Sequence, residues 1–264
     1  MKSNIKEHWL KGVVFLLSLL VIYFTTFSKL DNSAKSRIDS SFKQALGVFA
    51  TAKALNGVIS LVQGTEVGPP GVTISIGEIL DPINDLVERF SWIMLASLTS
   101  LGILKILMNI LVFKGFEILL ISSLLISNIL LFYRFKKYLY ARELFFKFTI
   151  LLIFLRFSIP LVTMANEYVY LNFIKQDYNI EQSQNVIVSA KNEISKFDDK
   201  KASYFSTDYY KNKMYAFETV ASNATNHIVD LITVFIFQTM LFPIIFLWLL
   251  YRLFIFFSKS FHIP

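Results

Sequence analysis

The sequence predicts an all-α integral membrane protein. The clearest observation is the segment 231–251, LITVFIFQTMLFPIIFLWLLY, which contains no charged residue between Asp230 and Arg252. As a helix this segment is long enough to cross the roughly 30 Å hydrocarbon core of a bilayer. Further apolar runs occupy 12–28, 90–104, 118–133 and 148–166. A soluble core could not bury so much apolar surface, so several helices are expected to lie in lipid.

Composition supports the same class. Hydrophobic residues make up 55% of the chain and charged residues only 17%, which is unlike an ordinary soluble domain. The 27 phenylalanines and 12 tyrosines suit lipid contact and headgroup belts. The net charge of +7 comes from Lys and Arg placed beside the apolar runs, which favours membrane orientation over nucleic-acid binding. The absence of cysteine excludes disulfides, thiolate metal sites and cysteine nucleophiles.

Basic clusters predict the orientation. Lys2, Lys6 and Lys11 precede the first run, and no small-residue cleavage pattern follows it, so residues 1–30 are expected to be an uncleaved signal-anchor with a cytoplasmic N-terminus. The loop 134–147 is strongly basic and is also expected to be cytoplasmic. Its only acidic residue is Glu143, and its basic residues are Arg134, Lys136, Lys137, Arg142 and Lys147.

The remaining segments follow from this orientation. Transmembrane helices are predicted at 148–171 and 230–257, and the tail 258–264 is expected to be cytoplasmic because Arg252 and Lys259 flank the last run. The polar stretches 31–90 and 172–229 have nearly balanced charge and are expected outside. The predicted location is the plasma membrane, which is the inner membrane of a cell with two membranes.

The middle segment, 91–133, allows two topologies. It must cross an odd number of times to connect the outside with the basic loop, yet it has two apolar stretches, separated by Lys105, Asn109 and Lys114–Gly115. In the preferred interpretation 91–113 is re-entrant or interfacial, with a bend at Thr99–Gly102, and 116–133 crosses. The alternative is a hairpin turning at Lys114–Gly115. The fold is therefore four transmembrane helices plus one re-entrant or interfacial segment, or five transmembrane helices.

Both external stretches have predicted structure. Apolar residues recurring at three and four predict a long amphipathic helix from Ser33 to Val62. Alternation over 72–76 predicts a short extended segment after the turn at 68–71. Asp81–Pro82 has the form of a helix start.

The stretch 172–229 predicts an antiparallel, coiled-coil-like helical hairpin. Ile180, Ile187 and Ile194 are spaced by seven, and a second apolar series begins at Tyr210 after a polar turn. The second series continues with Met214, Phe217, Ala221, Ala224, Ile228 and Leu231. Ser206 or Thr207 is the expected cap of the second arm.

Few residues indicate chemistry. His8, His227 and His262 do not pair at metal-ligand spacing, and no nucleophile, phosphate-binding or cofactor motif is present. The sequence therefore predicts neither an enzyme nor a metal or cofactor site.

Polar residues inside the apolar runs predict a candidate solute pathway. A charge at the bilayer centre costs at least roughly 3 kcal/mol, so Lys105 and Arg156 need protein or water around them. Pro160 and Pro243 each remove a helical hydrogen bond, from the carbonyls of Arg156 and Thr239 respectively. The candidate pathway residues are Lys105, Asn109, Arg156, Pro160, Gln238, Thr239 and Pro243. The competing interpretation is that the prolines are ordinary kinks and Arg156 reaches the headgroups.

Two functions fit these features. The first is an oligomeric channel or transport component that passes ions or small solutes, with the cations favouring anions. The alternative is a membrane scaffold whose helical hairpin binds a protein partner outside the membrane. Expected partners are the lipid bilayer, further copies of the chain and an extracytoplasmic protein, with no nucleic acid.

Overall fold

A computed structural model describes residues 2–26, 29–63, 66–67, 74–133, 139–196 and 207–260. This part of the chain is almost entirely helical, as the sequence predicts. The helices are α1 (Lys2–Thr26), α2 (Lys29–Gln63), α3 (Ile76–Val112), α4 (Lys114–Phe132), α5 (Leu139–Val169), α6 (Ile180–Lys196), α7 (Thr207–Ile236) and α8 (Phe242–Ser260). Two short strands, β1 (Glu66–Val67) and β2 (Ile74–Ser75), pair antiparallel, and β2 falls inside the predicted extended segment.

Two π-helical turns interrupt the regular helices. One, Tyr170–Ile174, continues α5, and the other, Phe237–Leu241, joins α7 to α8 without a loop. In the second turn the amide of Phe242 donates to the carbonyl of Phe237, five residues back. The turn lies directly before Pro243, whose ring nitrogen cannot donate. Such insertions in a helix are rare and re-aim the side chains that follow them.

Five helical stretches are long and apolar enough to cross a membrane, which is compatible with the predicted membrane class. They are Lys29–Gln63, Leu80–Val112, Lys114–Phe132, Ala141–Ile174 and Met214–Ile255. The set differs from the preferred sequence prediction in two respects. α2 belongs to it, whereas the apolar part of α1, Lys11–Thr26, is shorter than the others. Leu80–Val112 of α3 also belongs to it, whereas the sequence predicts 91–113 to be re-entrant or interfacial. Lys53 is the only charged residue in the segment 45–62 of α2. This part of the predicted amphipathic helix is therefore mostly apolar.

The structure corrects the prediction for the middle segment. α3 runs as one helix through Thr99–Gly102, so the predicted bend there is wrong. The chain instead bends at Phe113, a single extended residue between α3 and α4. α3 also begins at Ile76 and contains Pro82, so the predicted start at Asp81–Pro82 is wrong. Proline is tolerated near a helix N-terminus because few hydrogen bonds are lost there.

The chain forms two compact units. The first comprises Met1–Asp39, Gly102–Asn166 and Pro243–Pro264. In this unit α1 and α4 pack antiparallel. The ring centroids of Phe15 and Phe132 are 6.1 Å apart, and Ser18 is hydrogen-bonded to Asn128. Val21 and Ile22 pack against a cluster of buried leucines. That cluster comprises Leu120, Leu124 and Leu152. The C-terminal half of α1 therefore runs along α4 in the opposite direction, with Phe15 beside the C-terminal end of α4.

The second unit comprises Ser40–Leu101 and Glu167–Phe242. α6 and α7 pack side by side within it. The heptad-spaced Ile180, Ile187 and Ile194 are all buried, as are Phe217, Ala224 and Ile228 of α7. α2 joins them through a hydrogen bond from Gln184 to the Thr51 hydroxyl. The predicted turn of the hairpin and its Ser206 cap lie outside the described residues.

Candidate functional site: ion pairs, a capped carbonyl and a polar groove

Arg156 makes a buried ion pair with Asp31. The two residues are 2% and 5% exposed, so neither charge is solvated. Nη1 donates to Oδ1 over 2.7 Å and Nη2 donates to Oδ2 over 2.5 Å, which is the bidentate geometry that fits a guanidinium to a carboxylate. Asp31 is also in the first turn of α2, where the helix dipole stabilises a negative charge. The charge of Arg156 is therefore neutralised within the chain.

Lys105 makes a second ion pair with another acid of α2. Its ammonium lies 2.7 Å from Oδ1 of Asp39, and the two side chains are about 43% and 34% exposed. Asp39 follows Asp31 by eight positions, close to two helical turns, so both acids lie on one side of α2. Ala34 and Ile38, between them, are buried in a cluster with Met108, Leu111 and Ile159.

Sequence reasoning missed both acids. It assigned the segment from residue 31 onward to an external stretch, so Asp31 and Asp39 were not considered as partners for membrane cations. The available signal was their position on the same face as the apolar Ala34 and Ile38. An acid on the buried face of a helix requires a cation or donor opposite it.

The carbonyl that Pro243 leaves without a helical donor also has a partner. The hydroxyl of Ser100 donates to the Thr239 carbonyl over 2.7 Å. The Thr239 hydroxyl itself donates to the Phe235 carbonyl over 2.7 Å and lies 3.0 Å from the hydroxyl of Ser97. The Ser100 hydroxyl of α3 therefore supplies a donor to the carbonyl four residues before Pro243, and the Ser97 hydroxyl accepts from the Thr239 side chain.

The other candidate pathway residues lie in different surroundings. Pro160 is buried inside α5, which continues through it without a break. Asn109 is exposed on α3, and Gln238 is partly buried in the π-helical turn. Within the first unit, Lys105 and Arg156 each bind their own acid and do not share a site.

Other polar side chains in the apolar helices of the first unit are bonded to each other. Asn128 donates to the Ser18 hydroxyl over 2.8 Å. The Thr149 hydroxyl lies 2.5 Å from that of Ser123 and 2.9 Å from that of Ser127. These contacts join α4 to α1 on one side and to α5 on the other.

A polar groove of about 460 Å³ lies in the second unit along α6 and α7. Glu181, Asn185, Ser189 and Glu193 line it at a spacing of four, which places them on one face of α6. Asn179, Gln182, Val186 and Ala190 of the same region, and Val220 and Asn223 of α7, complete the lining. The lining contains two carboxylates and no cation. None of the candidate pathway residues belongs to it.

The groove does not have the composition of a metal site. Among the residues that the structure describes, no group of three His, Cys, Asp or Glu side chains is placed to hold a metal ion. Asn179 has a local role: its side-chain oxygen accepts the amides of Glu181 and Gln182 and so caps α6.

No family model, curated protein or solved structure matches this chain. Its function is therefore inferred from the contacts described above.

Proposed function

We propose that this chain is a non-transporting plasma-membrane protein that holds α6 and the N-terminal part of α7 outside the bilayer, where the groove along these two helices binds a protein partner. The observation that carries the proposal is the bidentate pairing of Arg156 with Asp31. A pore that selects anions needs a cation that faces the solute. Arg156 is instead buried and neutralised inside one subunit.

The other candidate pathway groups support the same proposal. Lys105 shares its charge with Asp39 at 2.7 Å. The Thr239 carbonyl accepts the Ser100 hydroxyl, so it is already engaged within the subunit. A buried polar group that is satisfied internally adds to the stability and specificity of the fold. These features are those of helices that anchor rather than conduct.

The first unit also supports an orientation. α1 and α5 both pack antiparallel to α4, since Ser18 and Thr149 contact Asn128 and Ser127, whereas the later residues Val21, Ile22 and Leu152 pack beside the earlier Leu120 and Leu124. This brings Lys11 of α1 to the same end as Arg142 and Lys147 of α5. We place that basic end in the cytoplasm, following the positive-inside rule. Four crossings by α1, α4, α5 and α8 would then leave both termini cytoplasmic, with the C-terminal part of α3 inserted in the membrane.

The proposal is tested by ion flux in reconstituted liposomes of neutral and anionic phospholipid. We expect no flux above that of protein-free vesicles, both for the parent protein and for Lys105→Ala. The matched control is Ile118→Ala, a change at an exposed apolar residue of α4. Flux whose ion selectivity changes in Lys105→Ala but not in Ile118→Ala would overturn the proposal.

The partner is tested in native membranes with a photo-crosslinking amino acid at Asn185 or Asn223. We expect one defined adduct from both groove positions and none from Ile118. An adduct that forms equally from Ile118 would place the partner away from the groove.

An oligomeric channel is the second candidate, and one observation favours it. Asn109 is exposed and Lys105 is half-exposed on the same part of α3. Convergence of these side chains from several copies would be required to line a pore. The same flux experiment decides between the two candidates.

A further inference from the structure

Asn109 differs from the buried polar side chains in the apolar helices of the first unit. Asn128, the other asparagine in α3 and α4 of that unit, is buried and bonded to Ser18. Asn109 is exposed and has no hydrogen-bond partner among the residues that the structure describes. It lies within a candidate membrane span, Leu80–Val112. The amide therefore requires a partner that the single chain does not supply.

The surroundings of Asn109 are apolar and exposed. Ile106 is 62% exposed, Ile110 is 54% exposed and Phe113 is 68% exposed. Ile106, Asn109 and Ile110 share one face of α3 at spacings of three and four, and Phe113 follows directly after the end of the helix. Such spacing is the pattern of a surface that packs against another helix. An amide left without hydrogen bonds in hydrocarbon is unfavourable, because no water is present to bond it. Covering this surface with a helix that offers an amide removes that cost.

The occupant of such a surface is indicated by the chemistry of the amide. An asparagine side chain carries both donors and an acceptor, so it is complementary to itself. In a two-fold symmetric contact each residue of the surface meets the same surface of the partner. A second copy of the chain would therefore supply an asparagine opposite Asn109 and apolar side chains opposite Ile106 and Ile110.

We infer that α3 is a self-association surface, on which two copies of this chain pack in the membrane with their Asn109 amides bonded to each other. This inference does not depend on the proposed scaffold function. Interhelical amide bonds in lipid are individually modest, so Asn109 selects the register of the contact while the isoleucines and Phe113 supply its area.

The first test measures dimerisation by energy transfer between labelled copies in liposomes over a range of protein densities. We expect dimers for the parent protein, a loss of affinity of roughly tenfold for Asn109→Leu, and a change within about threefold for Asn109→Gln, which keeps the amide. The matched control is Asn128→Leu, which removes the internal bond to Ser18 and should leave dimerisation unchanged. A parent protein that stays monomeric, or an affinity unaffected by Asn109→Leu, would overturn the inference.

The second test does not depend on the folding of the Asn109 variants. The chain contains no cysteine, so a single cysteine can be introduced without background. Ile106→Cys and Ile110→Cys should form disulfide-linked dimers in native membranes. Ile118→Cys and Ile129→Cys, on α4 and exposed by 64% and 57%, should not. Cross-linking at the α4 positions that equals or exceeds that on α3 would assign self-association to another surface.

Discussion

Arg156 and Asp31 lie 125 positions apart in the chain and meet through two parallel hydrogen bonds of 2.7 and 2.5 Å. This pair connects the first turn of α2 to the middle of α5. Because each charge alone would be costly to bury, each residue depends on the other for its place in the fold. The pair therefore explains how an arginine is accommodated in the middle of an apolar run.

Removing one partner of this pair should destabilise the protein strongly. We expect Asp31→Leu to lower the free energy of unfolding by roughly 3 kcal/mol or more, because it leaves the Arg156 charge buried without its carboxylate. The double variant Asp31→Leu with Arg156→Met should recover much of that loss. Unfolding titrations in mixed micelles give the values for the parent protein, for Asp31→Leu and Arg156→Met alone, and for the double variant.

The control for this comparison is Glu143→Gln. Glu143 pairs with Lys147 at 2.7 Å on the same helix as Arg156, but both side chains are about half exposed. Such a pair contributes about 0.5 kcal/mol. A double variant less stable than both single variants would contradict the interpretation that the pair is neutralised internally.

Ser100 and Pro243 should show coupled effects on stability. Ser100→Ala removes the hydroxyl that the Thr239 carbonyl accepts, at an expected cost of about 1–2 kcal/mol. Pro243→Ala supplies a backbone N–H that can serve this carbonyl instead. We therefore expect the cost of Ser100→Ala to be smaller in the Pro243→Ala background. A four-member mutant cycle measures the coupling, and strictly additive effects would show that the hydroxyl is not the substitute for the missing donor.

The orientation can be checked with single cysteines and a membrane-impermeant thiol reagent. Ala141→Cys and Lys11→Cys should be labelled only after the cells are permeabilised, because both lie at the basic end of the first unit. Asn185→Cys, in the groove, should be labelled in intact cells. Labelling of Ala141→Cys in intact cells would reverse the proposed orientation, and labelling of Lys11→Cys and Ala141→Cys from opposite sides would contradict the packing of α1 on α4.

Gly57 should be replaceable with a gain in stability. It lies inside α2, and an added Cβ there would meet no atom within 4 Å. Alanine is a better helix former than glycine because it loses less backbone entropy on folding. We expect Gly57→Ala to raise the free energy of unfolding by roughly 0.5–1 kcal/mol. Thermal unfolding followed by circular dichroism measures this, and a loss of stability would mean that Gly57 faces a contact absent from the single chain.

Long apolar runs were sufficient to predict the membrane class and most of the helices. The candidate spans in α4, in α5 and in the continuous stretch of α7 and α8 were predictable, because each is apolar over about twenty residues. An apolar composition can be recognised without knowing any long-range contact. The heptad spacing of Ile180, Ile187 and Ile194 likewise predicted their burial, since a helix with such a seam has to cover it. The boundaries were less well predicted: the bend lies at Phe113 rather than at Thr99–Gly102, where a serine and a glycine within an apolar run did not interrupt the helix.

The amino-acid sequence by itself determined that this chain forms helices long and apolar enough to cross a membrane, and which of its residues would be costly to place in lipid. Only the tertiary structure decided how these polar and charged groups are stabilised, because their bonding partners come from distant parts of the chain. Asp31 for Arg156, Asp39 for Lys105 and Ser100 for the Thr239 carbonyl have no local pattern that connects them. Spacing along a helix determines which side chains share a face, whereas the packing of the helices determines which faces meet.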